Sequence, residues 1–152
     1  MTGIVNDPVL ARDITQDTFV KAWRFADSRR GEGSPLPWLL RIARHTALDS
    51  LRRTARAPRI NDESVEHMAS YRDEMQDMLR RDAIESTLSA LSLEHREVIL
   101  LVDLLEYDYK EVADILDVPV GTVRSRLARA RSEFRNSWKN FGAPRNSAKG
   151  AS

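Results

Sequence analysis

Tyr109–Arg135, YKEVADILDVPVGTVRSRLARARSEFR, splits at Asp117-Val118-Pro119-Val120-Gly121 into two helical periods, and that split decides the fold of the surrounding chain. Asp108 followed three residues later by Glu111 has capping-box spacing, in which each side chain satisfies a free amide at a helix start. Val112, Ala113, Ile115 and Leu116 then supply a buried face. The second helix accepts Pro119 in its first turn, where the missing N–H costs nothing. In it Val123, Leu127, Ala130, Phe134 and Trp138 recur at steps of four, three, four and four, one side of a helix at about 100° per residue. Ser125, Ala128, Arg129 and Ser132 point the other way, flanked by Arg124, Arg126, Arg131 and Arg135. Small and hydrogen-bonding groups would thus face base edges while arginines on the flanks meet phosphates. Between Thr122 and Lys139 six basic residues stand against one acidic residue, a net of +5. Any solvated arginine-rich helix shows a similar wheel; the capped helix and Pro-Gly turn ahead of this one favour a helix-turn-helix that reads DNA.

Charge divides the 152-residue chain into blocks although its net charge is only +1. Arg41–Arg59 carries six arginines against Asp49, a net of +5, whereas Ile60–Ala90 carries eight acids against three arginines, a net of −5. Two basic blocks around an acidic one suggest two surfaces facing nucleic acid and a middle that DNA repels. The chain has no cysteine, which excludes disulfides and thiolate metal sites, and His45, His67 and His95 lack ligand spacing. No metal or cofactor is expected. The longest apolar run, Val98–Val102, is far too short to cross a bilayer, and the expectation is a cytoplasmic protein. No phosphate loop, nucleophile elbow or complete catalytic set occurs, so an enzyme is not expected.

Upstream, Asp7-Pro8 opens a helix to about Asp27. Ile14, Phe19, Ala22, Phe25 and Ala26 form its expected core face, and Asp13, Gln16, Asp17, Val20 and Arg24 an opposite stripe. Periodicity alone makes that stripe an ordinary solvated surface, yet its mix of acid, amide and apolar groups also suits docking on a basic helix. Asp27–Pro35, DSRRGEGSP, is a loop. From Leu36 a helix carries Leu39, Ile42, Ala43, Thr46 and Ala47 on one face and Arg41, Arg44, His45, Leu48 and Arg52 on the other. A basic helix behind a flexible loop suits a nucleic-acid strand, and Trp38 fits either a core or a stacking platform. Thr54–Asp77 loses periodicity and reads as an extended, mobile linker. Helix returns near Met78; Ser92 caps the next, Leu93 to about Leu105, whose Val98, Ile99, Leu101, Val102, Leu104 and Leu105 are expected to support the helix-turn-helix. The tail after Trp138 has a disordered composition.

DITQDTFVKAWRF with PWLLRIARHTALDSLRR, and LSALSLEHREVILLVDLLEYDYKEVADILDVPVGTVRSRLARAR, resemble the second and fourth regions of the sigma-70 family, in its small extracytoplasmic-function group. The resemblance spans about Asp7–Trp138 apart from the linker. It implies an all-α chain of two small helical domains joined by a linker: region 2 at 1–57, an acidic linker at 58–77, region 4 at 78–140 as a four-helix, winged-helix-like DNA-binding domain, and a tail at 141–152. It implies a bacterial subunit that binds core RNA polymerase, directs it to promoters and helps melt them. Asp13, Gln16, Asp17, Val20 and Arg24 would meet the clamp helices of the largest polymerase subunit, and region 4 would meet the flap. Ser28, Arg29, Arg30, Trp38, Arg41, Arg44, His45 and Arg52 would hold the melted downstream element, one base flipped into a pocket of the loop. Thr122, Arg124, Ser125, Arg126, Ala128, Arg129 and Arg131 would read the upstream duplex, in agreement with the face found from the wheel. An anti-sigma partner is implied as well. Three departures stand out. Family members carry another helix or two ahead of the Asp7 position, His45 stands where asparagine is common, and Asp117 replaces a frequent glycine. Two other readings remain: a stand-alone helix-turn-helix regulator, and a helical module that binds polymerase or an anti-sigma factor without initiating.

Overall fold

The computed structural model describes residues 2–31, 33–56 and 72–141. The secondary structure of the described residues is helical: α1 Thr2–Val5, α2 Pro8–Arg24, a 3-10 turn Ala26–Ser28, α3 Leu36–Arg56, α4 Arg72–Ser89, α5 Leu93–Ile99, α6 Tyr109–Leu116 and α7 Val120–Phe141. The linker at 58–71 and the tail from 142 lie outside the described residues. Of the expected linker, Arg72–Asp77 is instead the start of α4. Periodicity is weak there because α4 leaves Met75, Leu79 and Ile84 exposed and, among the residues whose burial is described, buries only Thr87 and Leu88 near its end.

Asp7 starts α2 by accepting from the amides of Val9 and Leu10 at 2.9 and 3.0 Å, and Pro8 follows in the first turn. The expected core face of α2 is only partly right. Ile14 is buried, with Ala11 and Thr18, but Phe19 and Phe25 are 59% and 56% exposed and Ala26 lies on the surface. α2 meets α3 through its small residues, since Ala43, Thr46 and Ala47 are the buried positions opposite. Small groups let two helices approach closely, and a phenyl ring would hold them apart. Lys21 crosses the same seam to the Thr46 hydroxyl at 3.1 Å.

The larger core joins Leu88, Leu91, Val98, Ile99, Leu101, Val112, Ala113, Ile115, Leu116, Val123, Leu127 and Ala130. Burial of each large aliphatic side chain there contributes about 1.5–3 kcal/mol. Leu40 of α3 packs against this cluster, and Arg96 of α5 reaches the Ile4 carbonyl of α1 at 2.6 Å, so the two halves touch. Leu104 and Leu105, expected in the support, are instead 69% and 48% exposed. After Ile99 the helix widens into a π turn, Leu100–Leu104, in which the Leu105 amide donates to the Leu100 carbonyl at 3.0 Å. That wider turn and the left-handed Glu106 (φ 58°) rotate the last two leucines out of register with the core.

Candidate nucleic-acid interface

The helix-turn-helix is fixed by local chemistry. The Asp108 carboxylate accepts from the Glu111 amide at 2.8 Å, and Glu111 accepts from the Asp108 amide at 3.0 Å, completing the capping box. Such a cap contributes about 0.5–2 kcal/mol. Asp117 ends α6 in the left-handed region at φ 55°, ψ 52°, which a short polar side chain tolerates in place of glycine. The Val123 and Thr122 amides then bond to the Pro119 carbonyl, and α7 begins. Val123, Leu127 and Ala130 are fully buried, while Phe134 and Trp138 stack at 6.1 Å in a half-buried position.

On the outer face Ser125, Ala128 and Arg129 are exposed, and the half-buried Thr122 opens the helix. The arginines expected to flank this face are not equivalent. Arg131 makes a two-point ion pair with Asp103 of the π turn, its Nε to Oδ2 at 3.0 Å. That pair raises the guanidinium's pKa further. Arg126 is half-buried against Glu94 of α5 at 3.0 Å. Arg124 lies over the Tyr109 ring at 5.9 Å. No such partner occurs for Arg129 among the described residues. Arg129→Ala is therefore expected to weaken binding to upstream promoter duplex by about 1–3 kcal/mol and to alter preference at one base position. Titration of the variant against a set of single-base promoter variants checks this; equal loss on every sequence would reduce Arg129 to a phosphate contact.

The second basic surface lies on α3 and the loop before it. Gly31 and Gly33 take φ values of 129° and 134°, a region that a side chain would strain. Between the loop residues, Arg29 donates to the Gly33 carbonyl. Ser28 donates to the Phe25 carbonyl at 2.7 Å, and Arg30 is exposed. Trp38 is half-buried, whereas His45 and Arg52 point to solvent, Arg52 lying 3.9 Å from Asp49. Arg41 and Arg44 face the other half of the molecule. Arg41 donates to the Asp114 carbonyl of α6, and Arg44 Nε donates to Glu97 Oε1 of α5 at 2.9 Å. Glu97 is 2% exposed, and burial pushes its carboxyl above the usual carboxylate range despite the attraction of Arg44 and Arg126.

On α2 the stripe Asp13, Gln16, Asp17, Val20 and Arg24 is exposed in full. Sequence reasoning missed its continuation: Val9, Phe19 and Trp23 are also on the surface, Trp23 at 84%. The signal was available, because Trp23 follows Gln16 and Val20 at helical steps of seven and three. Among the described residues no helix is long and apolar enough to cross a membrane, and no cluster of three metal-ligating side chains occurs.

Comparison with known proteins bears on both surfaces. Residues 1–57 match the family described as Sigma-70 region 2, and residues 81–134 match Sigma-70, region 4. An ECF RNA polymerase sigma-E factor of Haemophilus influenzae is 34% identical over 136 residues, covering 82% of this chain and 72% of that protein. The Escherichia coli K12 protein of the same name is 34% identical with 71% of it covered. Among solved structures, the sigma factor RpoE in complex with the anti-sigma factor NepR, from Bartonella quintana, superposes with a TM-score of 0.74 at 26% identity, covering 91% of this chain and 86% of that one. CnrH in complex with the cytosolic domain of CnrY gives 0.62 at 26% identity, with 91% and 77% covered.

Proposed function

Given that this chain belongs to the sigma-70 family, as an RNA polymerase sigma factor of the extracytoplasmic-function type, we propose that its two helical halves divide promoter recognition between them. The C-terminal half, 78–140 with the preceding turns of α4, reads the upstream element of duplex DNA. Thr122, Ser125, Ala128 and Arg129 face the bases there, Arg124 meets the backbone, and Arg126 and Arg131 hold α7 at its angle. The N-terminal half, 1–57, holds the melted downstream strand through Ser28, Arg29, Arg30, Trp38, Arg41, Arg44, His45 and Arg52. Asp13, Gln16, Asp17, Val20 and Arg24, extended by Phe19 and Trp23, dock on core RNA polymerase. The protein works in the cytoplasm by binding rather than by catalysing a reaction, and an anti-sigma factor is among its partners, as for the sigma factor RpoE of Bartonella quintana whose structure it resembles.

The observation that carries this reading is the exposed Ser125-Ala128-Arg129 face, borne on a helix-turn-helix whose first helix is capped at both ends. A second reading, a module that binds polymerase or an anti-sigma factor without initiating, draws on the engagement of Arg41 and Arg44 by the other half. Run-off transcription with purified bacterial core polymerase and a promoter library separates the two: transcripts are expected from the wild-type chain and lost with Asp17→Arg, which places a cation on the docking stripe while leaving duplex binding intact. Polymerase binding with no transcript from any promoter would favour the second reading. Unchanged activity of Asp17→Arg would return the stripe to plain solvated surface.

A further inference from the structure

Four arginines flank the outward face of α7, and two of them are already neutralised within the fold. Arg126 and Arg131 lie five residues apart, so at about 100° per residue they border the two edges of the buried side that carries Val123, Leu127 and Ala130. Each edge is met by a carboxylate from the segment that supports α7. Glu94 of α5 lies 3.0 Å from Arg126, and Asp103 of the π turn accepts from both Nε and a terminal nitrogen of Arg131, the former at 3.0 Å. Arg129, exposed on the face itself, has no such partner among the described residues. We propose that Asp103 is a specificity-determining positioning residue: by cancelling the charge of Arg131 and fixing its side chain, it limits the grip of α7 on the DNA backbone and leaves the choice of site to Ser125, Ala128 and Arg129. The inference rests on the reading of α7 as the helix that binds duplex.

The pair is a two-point fork, in which two N–H···O bonds align at once, and such pairs hold their partners where a single surface contact does not. The Arg131 and Asp103 side chains are 46% and 37% exposed, so a phosphate can approach them. A phosphate taking Arg131 exchanges one bidentate anion for another and strands Asp103 beside a polyanion. The exchange gains little. It also releases no net counterion, because the freed carboxylate gathers a cation as the phosphate loses one. Arg131 therefore adds little to sequence-independent affinity, which comes from uncompensated cations. The consequence for selectivity follows from what each contact requires. A phosphate contact carries no sequence information, whereas base contacts form only when α7 sits at one angle in the major groove. The fork ties α7 to the π turn, a helix form frequent at functional sites, and fixes that angle before DNA arrives. Preorganisation of this kind favours the complex that needs the angle. An unpaired Arg131 would strengthen contact with any duplex and loosen α7 on its support.

In the full-length chain Asp103→Asn, which keeps the shape and removes the charge, separates these roles. The probes are a short duplex enriched by the wild-type chain from a randomised pool and a scrambled duplex of the same composition, each titrated by fluorescence anisotropy over a series of salt concentrations. On the scrambled duplex Asp103→Asn is expected to bind about five to ten times more tightly at about 0.1 M salt, with the slope of log affinity against log salt steeper by about 0.9, as one further phosphate contact requires. On the enriched duplex the gain is expected to be smaller, so that the ratio of the two affinities falls about threefold or more, the effect of losing one ordered side chain. The double change Asp103→Asn with Arg131→Gln, an uncharged pair, is expected to return the salt slope to the wild-type value, which a merely loosened fold would not do. Circular dichroism confirms the helix content of each variant. A wild-type slope in Asp103→Asn overturns the proposal, since Arg131 then gains no phosphate. A slope as steep in the double variant as in the single one overturns it too, because the gain then comes from removing a negative charge and not from Arg131. A steeper slope with an unchanged affinity ratio overturns the role in specificity. If the randomised pool yields no enriched sequence, the reading of α7 as a sequence-specific helix fails, and the proposal falls with it.

Discussion

Leu127→Ala is expected to lower the stability of the C-terminal half by about 2–5 kcal/mol, the range for truncating a fully buried leucine. Leu127 is 2% exposed and lies one turn from Val123 and from Ala130, both at 0%, where α7 meets α5 and α6. Removing the isobutyl group forfeits its transfer energy and leaves a void that surrounding helices close only in part. With total stabilities of about 5–15 kcal/mol for ordinary domains, the loss takes a large share. Urea denaturation followed by helical circular dichroism measures it. Duplex binding should fall in parallel, because the position of Arg129 depends on the seating of α7. The Arg129→Ala variant supplies the contrast, with binding lost and the urea midpoint unmoved. A midpoint shift below about 0.5 kcal/mol for Leu127→Ala would mean that the site collapses freely and that the core is less tightly packed than its burial indicates.

Arg96→Met is expected to cost about 3 kcal/mol or more, although Arg96 touches neither DNA-facing surface. Its guanidinium donates to the carbonyls of Leu88 at 2.9 Å and Leu91 at 3.1 Å, to that of Ser89 at 3.4 Å, and to that of Ile4 at 2.6 Å. The last carbonyls of α4 have no partner within their helix, and a cation there also meets the negative end of the helix dipole. Hydrogen bonds from a charged group contribute about 1.5–3 kcal/mol each, less than additively, and removing the donor takes it from the Leu91 and Ile4 carbonyls, while the Leu88 carbonyl keeps the Leu91 amide at 3.1 Å. Burial lowers the pKa of this guanidinium from its usual value, opposed by the neighbouring Glu97 carboxylate, so the group is kept charged against a desolvation cost. Arg96→Lys should recover little, since a point charge does not reproduce a planar fork reaching four carbonyls. A urea midpoint for Arg96→Met within about 1 kcal/mol of wild type would show that water replaces the fork without loss.

How far the fold was legible depends on where the determinants lie along the chain. The Asp108–Glu111 box, the Asp117 turn and the buried side of α7 are set by neighbours within a few residues, and each is where its spacing placed it. The all-helical character followed from the same periodicity. α2 was misread because Phe19 and Phe25 carry the hydropathy of core residues, whereas its partner α3 offers alanines and a threonine that only small groups can meet. The exposure of Leu104 and Leu105 follows from a change of helix type that no hydropathy pattern encodes. At the candidate site the outward face of α7 was legible. The partners of Arg126 and Arg131, Glu94 and Asp103, were not, because they arrive from α5 and the π turn through the tertiary fold. Arg96 gave no signal at all, since its partners are backbone carbonyls. A helical wheel placed Arg41 and Arg44 opposite the apolar stripe, and Arg41 is exposed, but the ties of the two to α6 and α5 could not be read from it.

The bond from Arg96 to the Ile4 carbonyl spans 92 positions, and it has a consequence for the order in which the protein is made. Synthesis proceeds from the N-terminus at about 5–20 residues per second, so on the order of ten seconds pass between the appearance of Ile4 and that of Arg96. Throughout that interval the α3 face bearing Arg41 and Arg44 has no counterpart to meet, whereas Val5 of α1 can already pack with α2 and α3. The N-terminal half must therefore hold together on its own small core of Val5, Ala11, Ile14 and Ala47, and a core local in sequence and quick to form suits that task. The joining of the halves belongs to the finished polypeptide.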